Sequence, residues 1–182
     1  MILEAFTIFH VLLSLAGIGS GLVVVYGLLT SRTLDRWTTA FFITNMATSV
    51  TGYMFPFHGV TPGHVVGVLA LGSLGVGRLA RWSHRLSGRW RAVYAVSVVF
   101  ALYLNVFVLI VQIFRRVPAL RVLAPTQTEP AFQITQLVTL IAFVVLGILS
   151  TMRFHVRTPA TEPPSVPGDA TGLRNMTKRV RA

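Results

Sequence analysis

Apolar positions along this chain fall into five runs separated by short polar or charged gaps. The runs cover residues 6–29, 38–57, 62–82, 92–114 and 131–152. A bilayer hydrocarbon core about 30 Å thick is crossed by roughly 20 helical residues at 1.5 Å each, so each run predicts a crossing helix. The second is the most diluted, carrying Thr38, Thr39, Thr44, Asn45, Thr48, Ser49 and Thr51. The fold class predicted is an all-α membrane protein, a bundle of five transmembrane helices filling a domain over residues 1–156. The segment 157–182 holds prolines 159, 163, 164 and 167 and ends on Lys178, Arg179 and Arg181. That composition predicts a disordered, basic tail.

Within the runs the polar residues follow helical spacing. Polar groups are costly in hydrocarbon and turn toward the bundle interior. On the second run Thr44, Asn45, Thr48, Ser49, Thr51 and Gly52 share one arc of about 160° at 100° per residue, leaving Ile43, Met46, Ala47, Val50 and Met54 for lipid. The fourth presents Tyr94, Ser97, Ala101, Asn105, Val108 and Gln112 in one stripe, the first His10, Ser14, Gly17 and Gly21, and the fifth Gln133 and Gln136. Packing accounts for such stripes, because small residues admit close backbones and side-chain amides bond across helices.

Composition then identifies the solvent. Of 182 residues 53% are hydrophobic and only 12% charged, about half the charge of a soluble domain. There is no cysteine, which removes disulfides, thiolate catalysis and cysteine-ligated metal sites. The net charge of +11 flanks the apolar runs instead of forming a patch, so nucleic acid is not an expected partner. Arginine dominates the basic residues, with Lys178 the one lysine, a bias consistent with a GC-rich bacterial genome. The first run lacks a positive leader and is too long for a cleavable signal, so it reads as a retained helix.

Charge also orients the bundle. With the N-terminus outside, thirteen of the sixteen basic residues fall inside and only Arg115, Arg116 and Arg121 outside, as the positive-inside rule expects. If the second run failed to cross, the five arginines of 78–91 would change sides. The expected topology is N-terminus out and C-terminus cytoplasmic, in a bacterial inner membrane.

In that topology His10, His58 and His64 gather at the outer side. Together with Ser14, Asn45, Thr48, Asn105, Gln112 and Gln136 they outline an outward polar pocket. An ionisable residue within a span is a candidate functional group, and neutral imidazole ligates metals and haem iron. The sharpest chemistry is a b-type haem held axially by His10 and His64, with Gly17 and Gly67 making room for the ring and Arg115 and Arg116 reaching its propionates. A metal site from His10, His58 and His64 would lack a carboxylate. The bland alternative is a histidine bonded to a neighbouring helix. At the cytoplasmic side Arg81, Arg85, Arg89 and Arg91, between Trp82 and Trp90, are expected to contact anionic lipid headgroups.

That connector, His84-Arg85-Leu86-Ser87-Gly88 with Tyr94 behind it, resembles bacterial multi-pass inner-membrane proteins of unknown function. The stretches 44–52, 57–64 and 123–130 resemble them too. The resemblance implies a bacterial membrane protein and carries no catalytic role. Glu4, Asp35, Glu129, Glu162 and Asp169 are the only acids, and none pairs with a nucleophile or base in a recognisable catalytic arrangement. A proton-coupled transporter is disfavoured for the same want of intramembrane carboxylates. The expected function is a non-enzymatic membrane subunit or small-ligand binder, alone, as a homo-oligomer or within a larger membrane complex. A haem or metal redox protein is the alternative.

Overall fold

The computed structural model describes residues 2–54 and 62–155. His58, the turn at 55–61 and the expected tail at 157–182 lie outside the described residues. Those described form α1 (Ile2–Leu29), α2 (Asp35–Gly52), α3 (Pro62–Arg78), α4 (Trp90–Arg116), α5 (Pro118–Leu123) and α6 (Pro130–Arg153). One wide π turn, Leu79–Ser83, prolongs α3. No strand occurs among them.

Among the described residues four segments are long and apolar enough to cross a membrane: Glu4–Leu29, Gly63–Ser83, Trp90–Arg116 and Pro130–Arg153. Helix α2 is not among them. Its 18 residues reach about 27 Å at 1.5 Å per residue, but its threonines and asparagine lower its hydropathy.

Helix α1 packs on α2, α2 on α3, α3 on α4, and α4 back on α1, closing a ring into whose α1–α4 groove α6 docks. The best-buried core joins Val24, Val25 and Leu28 to Phe41, Phe42, Leu74, Tyr94, Val98 and Leu102. These residues lie where α1 and α3 end and α2 and α4 begin, so one end of the bundle is tightly packed. Toward the other end, α1 exposes Ile8, Phe9, Val11, Leu12 and Leu15. On α2, Ile43, Met46 and Val50 are exposed, as is Met54 just beyond it, and Asn45 is buried, as the sequence pattern predicts, whereas Ala47 is half-buried. Helix α6 buries only Gln136 and Ser150 and presents leucine, isoleucine and valine along the rest of its length.

Two glycines on α1 carry the close helix contacts. A Cβ at Gly17 would sit 2.8 Å from Asn45 Nδ2, and one at Gly21 would sit 2.7 Å from Leu102 Cδ1 and 2.8 Å from the Phe41 ring. The turn after α3 is sharper than sequence suggests. His84 N–H bonds the Leu79 carbonyl at 3.0 Å and Leu86 N–H bonds that of Ala80 at 3.0 Å. Arg85 and Leu86 both take positive φ, 47° and 55°, which costs about 1–2 kcal/mol for each L-residue. Leu86 offsets part of that by entering the core.

No single helix crosses the segment between α4 and α6, but Pro118 starts the short α5 within it. A proline at the first helical position loses nothing, since that N–H has no intrahelical partner.

Candidate functional site

The polar stripes of α1, α2 and α4 meet in one cluster. Ser14 Oγ donates to Asn105 Oδ1 at 2.6 Å. Asn105 Nδ2 donates to Asn45 Oδ1 at 2.9 Å and toward the Ser14 carbonyl at 3.3 Å. Asn45 Nδ2 donates to the Phe41 carbonyl one turn back, at 2.9 Å. Donors and acceptors are therefore matched across three helices, and the missing side chain at Gly17 is what lets both amides in. The cluster is filled, not hollow.

The remaining residues of the expected pocket do not join it. Thr48 spends its hydroxyl on the Thr44 carbonyl at 2.8 Å, Gln112 is exposed, and Gln136 Nε2 reaches the Phe107 carbonyl at 3.3 Å. The buried Gln136 Oε1 finds no hydrogen-bond partner among the described residues. Thr44 and Thr51 bond the carbonyls of Ala40 and Ala47, both at 2.7 Å. Most of the polarity of α2 is thus satisfied within the helix itself.

His10 Nδ1 lies 2.9 Å from Thr51 Oγ1. The Thr51 proton is already committed to Ala47, so Thr51 accepts and the His10 proton is assigned to Nδ1. His64 meets α2 from another helix: its carbonyl accepts from Tyr53 Oη at 2.8 Å and its ring centroid lies 5.5 Å from that of Tyr53. The two imidazoles therefore engage α2 from α1 and from α3, the helices packed on either side of it.

This arrangement does not fit a haem between His10 and His64. The space beside Gly17 is taken by Asn45 and Asn105, and a Cβ at Gly67 would meet Tyr53 Oη at 2.8 Å. Both glycines admit protein side chains, not a macrocycle. For metals, the described residues contain no group of three histidine, cysteine or acidic side chains.

A second polar cluster, overlooked in the sequence, closes the tightly packed end. Arg81 is paired with Asp35 and lies over the rings of Tyr94 and Trp82, 5.4 and 5.5 Å from their centroids. Its side chain is only 11% exposed, against 78% for Asp35. The Tyr94 hydroxyl stands 3.4 Å from Thr38 Oγ1 and 3.5 Å from Arg81 Nη1, both long for hydrogen bonds. Arg85 and Arg89 are exposed and Arg91 is half-buried, so Arg81 alone of the four turns inward. His84 stacks flat on Trp90, with centroids 3.7 Å apart. Ser31 Oγ bonds the Arg153 carbonyl, fastening the end of α6 to the α1–α2 turn.

At the opposite end Glu129 folds its loop. Its carboxylate accepts from the Thr126 N–H at 3.1 Å, the Thr126 hydroxyl at 2.8 Å and the Thr128 N–H at 3.0 Å. Desolvation works to raise its pKa, but these hydrogen bonds outweigh it and hold the carboxyl below its ordinary value. A depressed carboxylate pKa stabilises the loop at pH above the unfolded value, and that contribution is lost as pH falls through the folded one. The protection factors of the Thr126 and Thr128 amides, taken relative to intrinsic exchange at each pH, should therefore fall in acid in the native chain. In Glu129→Gln they should be low and flat with pH, and an acid response retained there would refute the assignment.

No protein-family model, no curated protein and no solved structure matches the chain.

Proposed function

We propose that the protein is a non-enzymatic, five-pass subunit of the bacterial inner membrane, N-terminus outside and C-terminus cytoplasmic, whose polar interior fastens helices together. The observation carrying this reading is the Ser14–Asn105–Asn45 cluster, whose side chains bond one another across three helices and fill the space beside Gly17. Titrating groups are absent from it, and the Ser14 hydroxyl is committed to Asn105.

The case for a fifth crossing is physical. The start of α2 joins the arginine-rich end, through Asp35 with Arg81 and Thr38 beside Tyr94. The other end of α2 reaches His10 and His64. Its back-bonded threonines cost less in lipid than hydropathy assigns them. Periplasm-active reporters are expected to work when fused after Glu129 and to stay silent when fused at Arg89. Activity at Arg89 would overturn the orientation.

The interior reading has its own test. A double-mutant cycle of Ser14→Ala and Asn105→Ala should show coupling of about 0.6–1.7 kcal/mol, as for interhelical hydrogen bonds in other membrane proteins. A Soret band in haem-replete preparations that vanished with His10→Ala would sink the non-redox reading outright.

A further inference from the structure

Beyond the end of α4 that carries the C-terminal arginines, Phe114, Arg115, Arg121, Ala124 and Pro125 line an open cleft of about 290 Å³. Phe114 and Ala124 close its base but are buried, so the surface the cleft exposes is mainly polar. The rim carries two exposed guanidinium groups, one from the last turn of α4 and one from α5. Neither has an ion-pair partner among the described residues. The one carboxylate of the loop, Glu129, is turned onto Thr126 and Thr128 instead.

We propose that this cleft binds a phosphate group, carried by a lipid headgroup or by a small phosphorylated solute. Guanidinium forks match phosphate oxygens in paired hydrogen bonds, and two of them line one mainly polar cleft. The volume lies at the small end of ligand pockets, which begin near about 300 Å³. The C-terminal dipole of α4 opposes an anion, but amounts to about half a charge against two full ones. Its carbonyls at Val111 and Ile113 are also already capped, by Gln127 Nε2 and by the Val117 N–H, both at 2.9 Å. Beside the cleft Val122 and Leu123 are 81% and 58% exposed, apolar surface that suits insertion at a membrane interface. The site also gives a reason for arginines on the side where the charge rule disfavours them.

The test uses the full chain purified in neutral detergent, with two probes. Native mass spectrometry measures retained phosphatidylglycerol against phosphatidylcholine, and thermal melting measures the effect of inorganic phosphate against chloride at equal ionic strength. For a lipid source, the wild type should retain phosphatidylglycerol at least tenfold more than Arg115→Gln/Arg121→Gln, while Arg36→Gln, at the other end, matches wild type. For a soluble source, phosphate should raise the melting temperature of wild type and not of the double variant. If the double variant does not fold, Arg121→Gln alone should lower the same signal at least threefold. Signals equal in wild type and variants, or an equal loss in Arg36→Gln, overturn the proposal. The phosphate arm does not depend on membrane orientation, so a failed topology experiment leaves it standing.

Discussion

Replacing Tyr94 by alanine is expected to cost about 3–5 kcal/mol, the range for deleting a fully buried aromatic ring. Tyr94 is 1% exposed and is the surface on which the packed end closes. Phe154 lies 6.0 Å from its ring centroid and the Arg81 guanidinium lies over its face. Alanine would leave a cavity among Val24, Leu28, Thr38 and Phe154, and would uncover one side of a poorly hydrated arginine. Tyr94→Phe separates ring from hydroxyl. Its bonds at 3.4 and 3.5 Å are long, so phenylalanine should lose no more than about 1 kcal/mol. Unfolding followed by circular dichroism through a denaturing-detergent titration would read both. An alanine variant within about 1 kcal/mol of wild type would mean that this end repacks freely, contrary to the burial seen.

Gly21→Val should be the next most damaging change, at about 1–3 kcal/mol from overpacking, with Gly19→Val as its control. A Cβ at Gly21 lands within 3 Å of Leu102 and of the Phe41 ring, and both residues are fully buried with nowhere to retreat. At Gly19, two residues along the same helix, a Cβ would meet nothing within 4 Å. Valine there faces the lipid side and should be close to neutral. The same unfolding measurement decides it: equal losses at both glycines would mean that helix propensity, not helix contact, governs this segment.

These two glycines also show where the sequence is informative and where it stops. Spacing identifies Gly17 and Gly21 as points of close approach, because small residues on one stripe admit another backbone. It does not say what enters, and at Gly17 the occupants are two asparagine amides where room for a haem was expected. The stripes of α2 and α4 were legible because hydrocarbon enforces a polar and an apolar side. Their pairing was not, since Ser14 and Asn105 stand 91 positions apart and nothing local records the match. The partner of Asp35 is Arg81, 46 positions away, and again nothing local records the match. Arg81 itself read as a headgroup contact like its neighbours. The π turn at 79–83 breaks the 3.6-residue period there, so a helical projection drawn through α3 misplaces it.

The place of α6 as the last helix described in the chain has a consequence for biosynthesis. Every member of the Ser14–Asn105–Asn45 cluster and of the Asp35–Arg81–Tyr94–Thr38 cluster precedes it in the chain. A nascent polypeptide released from the ribosome only as far as Leu123 already contains those partners, so the ring of α1 to α4 can close during translation. The last helix then arrives as a latch, drawn against a finished groove and secured at its far end where Ser31 holds the Arg153 carbonyl.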